Sequence, residues 1–164
     1  MADAPTVTIE GARLIYRNFE GRKDKFNLMG QRNVGVILTP ELGTQMQADG
    51  WNVKWMEPRD EGDEATPWIS VKVNFDGPRP PRVTALTNGG KHRTMLDAST
   101  VSVLDKLDLD NVDLIIRAYD YEVNDRVGRA AYLQNLYATI YEDDLDRKYA
   151  NLDEPMLDDE PGEN

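Results

Sequence analysis

Residues 68–75 read WISVKVNF. Ile69, Val71, Val73 and Phe75 share one parity and are all apolar; Trp68, Ser70, Lys72 and Asn74 share the other. Side chains alternate between the two faces of a strand, so the segment predicts a half-buried strand with an apolar inner face. Its outer face carries a tryptophan and a lysine. The stretch runs into DGPRPP at 76–81, a turn whose prolines no helix interior or central strand accommodates.

The same reading extends in both directions. Residues 6–9 and 12–17 alternate around Gly11, as one long strand with a bend or bulge would. NVGVIL at 33–38 is a short apolar run of buried-strand type. Thr39-Pro40 then supplies an N-cap and a first helical proline, and Gly50 a stop, so a helix is expected between them despite Gly43. Residues 51–56 form a strand with Trp51, Val53 and Trp55 on one face, packing the core, and Lys54 pointing out. An acidic loop fills 58–67. After the DGPRPP turn come a strand at 82–87, the turn Asn88-Gly89-Gly90, a short basic segment KHRTM, and a short helix at 97–106 with Asp97 as N-cap. Two last strands, 112–122 and 131–141, are joined through 124–128, and helical turns resume near 142–149. The pattern predicts an all-β, or β-rich, domain with one or two short helices, for which a five-stranded OB-fold barrel with extended loops is the architecture chosen.

At 164 residues with 40% hydrophobic and 30% charged side chains, the composition is that of a globular domain with one core. No apolar run approaches the roughly 18 residues of a membrane span. The opening MADAPTVTIE lacks a signal-peptide pattern, so a cytoplasmic protein is expected. Cysteine is absent, which removes disulfides, thiolate zinc sites and cysteine nucleophiles together.

Charge is distributed unevenly. From Glu142 onward ten acidic side chains face only Arg147 and Lys148, a net of −8 that leaves −3 of the chain's −11 for residues 1–141. The stretch DEPMLDDEPGEN at 153–164 has six carboxylates and no cation, the signature of a disordered interaction tail. Two units are therefore expected: a domain over 1–149 and an acidic tail over 150–164. Within the domain, basic residues gather at 10–35 (Arg13, Arg17, Arg22, Lys23, Lys25, Arg32) and at 71–95 (Lys72, Arg79, Arg82, Lys91, Arg93). In 16–26 they interleave with Tyr16, Phe19 and Phe26. Cations that track phosphates and rings on which bases stack are what a single strand requires; the same loop with Phe19 and Phe26 tucked into the core is the plainer alternative. In 112–121, Leu114, Ile116 and Ala118 point inward, leaving Arg117, Tyr119 and Tyr121 outward. The last strand sets Leu136, Ala138 and Ile140 opposite Asn135, Tyr137 and Tyr141.

Catalytic patterns are weak. His92 is the sole histidine and has no second nitrogen or sulfur ligand for zinc. Asp108, Asp110 and Asp113 lack the glycine and final glutamate of a calcium loop, and read as solvated turn acids. Gly89-Gly90-Lys91 lacks the first glycine and the Lys-Thr adjacency of a phosphate loop. No metal and no cofactor are expected.

RNFEGRKDKFNLMGQRNVGVIL at 17–38, DGWNVKW at 49–55, WISVKVNF at 68–75, NVDLIIRAYDYEV at 111–123 and AYLQNLYATIYEDDLDRKY at 131–149 together resemble phage-encoded single-stranded-DNA-binding proteins. The likeness runs over most of residues 9–149. It implies an OB-fold, sequence-nonspecific binding and protection of single strands in phage DNA replication or recombination, no catalysis, and residence in the host cytoplasm. It also implies an acidic tail that competes with DNA and recruits replication or recombination proteins, with a homodimer left open. The tail ends Gly162-Glu163-Asn164 rather than on an aromatic residue, a departure from many tails of this kind.

Face and charge reasoning then give the expected contacts. Arg17, Arg22, Lys23, Lys25, Arg32, Lys54, Lys72, Lys91 and Arg93 would meet phosphates, and Tyr16, Phe19, Phe26, Trp68 and Tyr119 would stack on bases. Asp153, Glu154, Asp158, Asp159, Glu160 and Glu163 would carry the tail's partner contacts. The rivals are a non-catalytic protein–protein adaptor or acidic DNA mimic, and a Mg²⁺-dependent nuclease using Asp108, Asp110 and Asp113.

Overall fold

The computed structural model describes residues 4–25, 27–58, 60–143 and 145. Phe26, the 150–164 tail with its six named carboxylates, and most of the expected helical turns at 142–149 lie outside the described residues. Strand β1 (Thr6–Ile9) and strand β2 (Arg13–Asn18) are two halves of one strand broken at Gly11, whose φ of 63° suits glycine. Then follow β3 (Asn33–Ile37), helix α1 (Pro40–Ala48), β4 (Val53–Met56), β5 (Thr66–Lys72), β6 (Arg82–Thr87) and β7 (His92–Leu96). A 3₁₀ turn (Val101–Asp105), β8 (Leu109–Val123) and β9 (Arg126–Ile140) complete the described order.

All nine strands join one mixed sheet, whose main path runs β1-β8-β9-β5-β3-β2. The two ends of that path are the two halves of the bent first strand. β1 pairs with β8 and β2 with β3, both antiparallel, and the Ala12 N–H donates to the Val112 carbonyl at 2.8 Å beside the bend. Five ribbons thus circle the core: the bent strand, β3, β5, β9 and β8. β5 and β9 run parallel, Val71 beside Ala131 and Lys72 beside Tyr132. This is the OB-fold layout expected from the sequence, left open as a ladder between β2 and β8. β6 continues the sheet against the second half of β9, and β7 forms the edge beyond it. The short basic segment after the 88–90 turn, for which the sequence pattern predicts no element, forms strand β7.

Inward parity is observed as expected for Ile69, Val71 and Val73, and for Leu114, Ile116 and Ala118; all six are buried. β9 departs from strict alternation. Ile115 faces Asn135 whereas Ile116 faces Leu133, so Gln134 is an extra residue and the inner parity changes from Ala131 and Leu133 to Leu136 and Ala138. The β8–β9 hairpin is longer and tighter than read: only Asn124 and Asp125 separate the strands, both with positive φ (53° and 66°), as in a two-residue primed turn.

Helix α1 begins as expected, with Thr39 Oγ1 accepting from the Leu42 N–H at 3.1 Å and Pro40 in the first turn. Trp51 is buried as expected, while Trp55, also expected in the core, is 37% exposed and donates its indole N–H to Gln47 Oε1 at 3.0 Å. The reason is that β4 is an outer strand, paired with β5 alone. The expected helix at 97–106 is reduced to the 3₁₀ turn, after an Asp97 carboxylate that accepts from the Ser99 and Thr100 N–H groups at 2.9 and 3.1 Å. The Ser99 hydroxyl and amide, with Thr100, hold the Asp97 carboxyl below its ordinary value. Its contribution is present above the usual carboxylate range and is lost as pH falls through the lowered pKa.

Gly43 is explained by packing rather than by conformation. A Cβ there would stand 2.5 Å from Pro67 Cβ and 2.6 Å from its Cγ. Alanine would gain about 1 kcal/mol of helix propensity, but overpacking a tight contact costs about 1–3 kcal/mol. Gly43→Ala is therefore expected to lower stability in urea denaturation, whereas Thr44→Ala, at an exposed position of the same helix, should raise it by a few tenths of a kcal/mol.

Candidate nucleic-acid interface

The outer face of β5 organises the surface. In register, Lys54 of β4 lies beside Trp68, and Gly35 and Asn33 of β3 lie beside Ser70 and Lys72. The Lys54 ammonium consequently sits 5.1 Å from the Trp68 ring, a cation–π distance. From β2, Tyr16 meets Trp68 edge to face, with centroids 5.3 Å apart and planes at 66°. Tyr16 stands at the irregularity between Ile15 and Asn18, with φ of 51°, and is 65% exposed. Gly35 permits the close approach of side chains above it: a Cβ there would be 2.8 Å from Ile15 Cγ1 and 3.0 Å from Trp68 Cε3.

A second aromatic station lies further along the same strand. Lys72 is paired with Tyr132 of β9, and its ammonium is 5.8 Å from that ring. Tyr119 of β8 packs on Tyr132 with centroids 5.6 Å apart, and is itself 57% exposed. Four residues of extended strand, roughly 13 Å, separate the Trp68 and Lys72 positions. An open hollow of about 480 Å³ spans the interval, bounded by Lys54, Ser70, Lys72, Tyr119 and Tyr132. Beyond Tyr132, Arg79 and Arg117 line a further hollow of about 300 Å³ with both tyrosines. At the other end, Arg22, Lys23 and Asn33 border a hollow of about 630 Å³ beside Tyr16.

The structure thus brings together Tyr16, Lys54, Trp68, Lys72 and Tyr119 from four strands, with Arg22 and Lys23 on the adjoining loop. Lys25 is exposed on that loop. Other expected contacts are placed differently. Phe19 is fully buried (0%) and cannot stack on a base. The Asp105 carboxylate accepts from the N–H groups of Phe19 and Glu20 at 2.7 and 3.0 Å, which turns the loop inward. Burying such a ring stabilises the fold by about 1.5–3 kcal/mol. The Arg17 guanidinium donates to the Leu104 and Leu107 carbonyls at 2.8 and 2.7 Å, capping the 3₁₀ turn. Arg32 donates to the Phe19 carbonyl at 2.6 Å and covers Phe75 at 5.5 Å. Lys91 and Arg93 belong to the β6–β7 hairpin, whose tip lies level with Thr139 of β9, roughly 20 Å along that strand from Tyr132.

Three contributors were not in the expected set: Tyr132, Arg79 and Arg117. Arg117 shares a parity with Tyr119, a signal that could have found it. Tyr132 has no such signal, because counting back by twos from Leu136 puts it inside; the extra residue at 134 turns it out. Arg129 lies on the reverse face of the hairpin, 2.6 Å from Asp120. The Arg129 hydrogen bond holds the Asp120 carboxyl below its ordinary range, and Asp120 in turn raises the Arg129 guanidinium. That charge is already committed. Among the described residues no His, Asp and Glu cluster could hold a metal ion, and Asp113 accepts from the Gly11 N–H at 2.9 Å, a structural contact.

A family model described as "Putative phage ssDNA-binding domain" matches residues 3–161. The chain belongs to that family. Its fold is similar to the single-stranded DNA-binding protein from bacteriophage Enc34, with a TM-score of 0.52 at 10% identity over 84% of this chain and 82% of that one. The same phage protein in complex with ssDNA gives a TM-score of 0.53 at 10% identity, over 84% and 88%. At this identity the likeness establishes the fold of this family member, with its strand-rich sheet. No curated protein matches the chain in sequence. No helix among its described residues is long and apolar enough to cross a membrane.

Gly35 is the position on which the first station depends most directly. In Gly35→Ala the new methyl displaces the Trp68 ring, so the near-ultraviolet circular dichroism of the tryptophans should change while the far-ultraviolet spectrum is retained.

Proposed function

We propose that this protein coats single-stranded DNA without sequence specificity, protecting it during phage DNA replication or recombination, by binding and without catalysis. The observation that carries the reading is the paired arrangement on one open face: Tyr16 and Trp68 with Lys54, then Tyr132 and Tyr119 with Lys72. Each station offers a ring for a base and a cation for the adjoining phosphate, the two elements of sequence-tolerant single-strand binding. Arg22, Lys23, Arg79 and Arg117 extend the cationic track at its two ends. Family membership supports the same reading, and the ssDNA complex of the Enc34 protein gives it a precedent in a similar fold.

Titration with an oligo-dT, followed by tryptophan fluorescence, tests the assignment. Trp68→Ala and Tyr132→Ala should each weaken binding by about 1–3 kcal/mol, roughly 5- to 150-fold, while Trp55→Phe leaves it unchanged. Lys54→Ala and Lys72→Ala should each flatten the dependence of log affinity on log salt by about 0.7. Absence of binding at every salt concentration would instead favour the adaptor or DNA-mimic reading.

The acidic residues 150–164 act in this proposal as an internal competitor for the cationic track and as the recruiting segment for replication or recombination proteins in the host cytoplasm. The charge asymmetry supports it, since residues 150–164 carry six carboxylates and no cation. Truncation to residues 1–149 should tighten DNA binding, with the largest gain at low salt; equal or weaker binding would refute the competition.

A further inference from the structure

An acidic side chain stands beside the second aromatic station. Asp76 is the only acid among residues 71–95, and it lines a hollow of about 300 Å³ with Met29, Arg32, Lys72, Phe75 and Tyr132. That volume is at the small end of ligand pockets, enough for one planar ring. Tyr132 and Phe75 supply aromatic walls and Met29 a flexible thioether that adapts to a ring of either size. Asn74 fixes the acid at the rim, its Oδ1 accepting from the Asp76 N–H at 3.0 Å. No cation pairs with Asp76 among the described residues. A carboxylate here opposes phosphate binding, and as an acceptor it is suited to a donor on another part of the strand.

We propose that this hollow is a nucleobase subsite in which the Asp76 carboxylate accepts a hydrogen bond from an exocyclic amino group. The inference rests on the single-strand-binding reading above and adds a base preference to it. An ionised carboxylate is acceptor-only. Cytosine, adenine and guanine each bring an amino donor to such a group, whereas thymine brings one ring N–H flanked by two carbonyl oxygens that the carboxylate repels. A base stacked on Tyr132 reaches the hollow with its edge while its phosphate stays with Lys72, which borders both this hollow and the central one. The face as a whole remains tolerant of sequence, and this one position discriminates.

Oligo-dC and oligo-dT of about ten nucleotides, compared by fluorescence titration on the full chain, test the assignment, because the two pyrimidines stack alike and differ at the amino group. Oligo-dC should bind about fivefold more tightly, the low end expected for a base contact open to solvent. Asp76→Asn, which keeps the side-chain shape and adds a donor, should bring the dC-to-dT ratio to near one while tightening both through the lost negative charge. Equal affinities in the unsubstituted protein, or a ratio that survives Asp76→Asn, would overturn the subsite and leave single-strand binding standing. Failure of both oligonucleotides to bind would overturn the two readings together.

Discussion

The register of β5 is the constraint on which the rest depends. Residues 68–72 pair with β3 along one edge, and along the other 66–69 pair with β4 and 71–72 with β9. Strand side chains alternate with a period of two, so a slip of one residue would exchange Ile69 and Val71 for Trp68, Ser70 and Lys72 in the core. Burial of Ile69, Val71 and Val73 therefore fixes the outer face as firmly as the inner one. The same register sets Lys54 beside Trp68 and Tyr132 beside Lys72, and so makes two cation–aromatic pairs out of three strands.

Those pairs have consequences for the free protein. An ammonium over a ring face is favourable by about 0.5–1 kcal/mol at an exposed site, so Lys54 and Lys72 are held near the positions where phosphates would pass. In the proposed complex, less side-chain freedom would then be lost than by two unrestrained lysines. By contrast, Arg17, Arg22, Arg32 and Arg129 donate to carbonyl groups or to a carboxylate. A count of basic residues overstates the charge that this face can offer, because some of the cations hold its loops in place.

Much of the architecture was legible in the sequence because it follows from local rules. The Gly11 bend, the Thr39 cap, the strict alternation of 68–75 and the turn at 88–90 each depend on a few adjacent residues. Phe19 was not, because its fate is decided by Asp105, far along the chain, whose carboxylate takes the two N–H groups at the start of the loop. Trp55 was not either, since its parity matched Trp51 and only the position of β4 at the rim of the sheet leaves it exposed.

By itself the sequence determined a strand-rich domain, the inward parity of most strands, and Trp68 and Lys72 as an outward pair. Hydrophobic periodicity and turn chemistry are local properties of the chain, so they survive without knowledge of its neighbours. Only the tertiary structure decided which outward residues meet. It joined Tyr16 to Trp68 and Tyr119 to Tyr132, and it set Lys91 and Arg93 apart on another hairpin. The physical reason is that pairing between distant strands, and a single extra residue at 134 in β9, fix relative positions that no local pattern encodes.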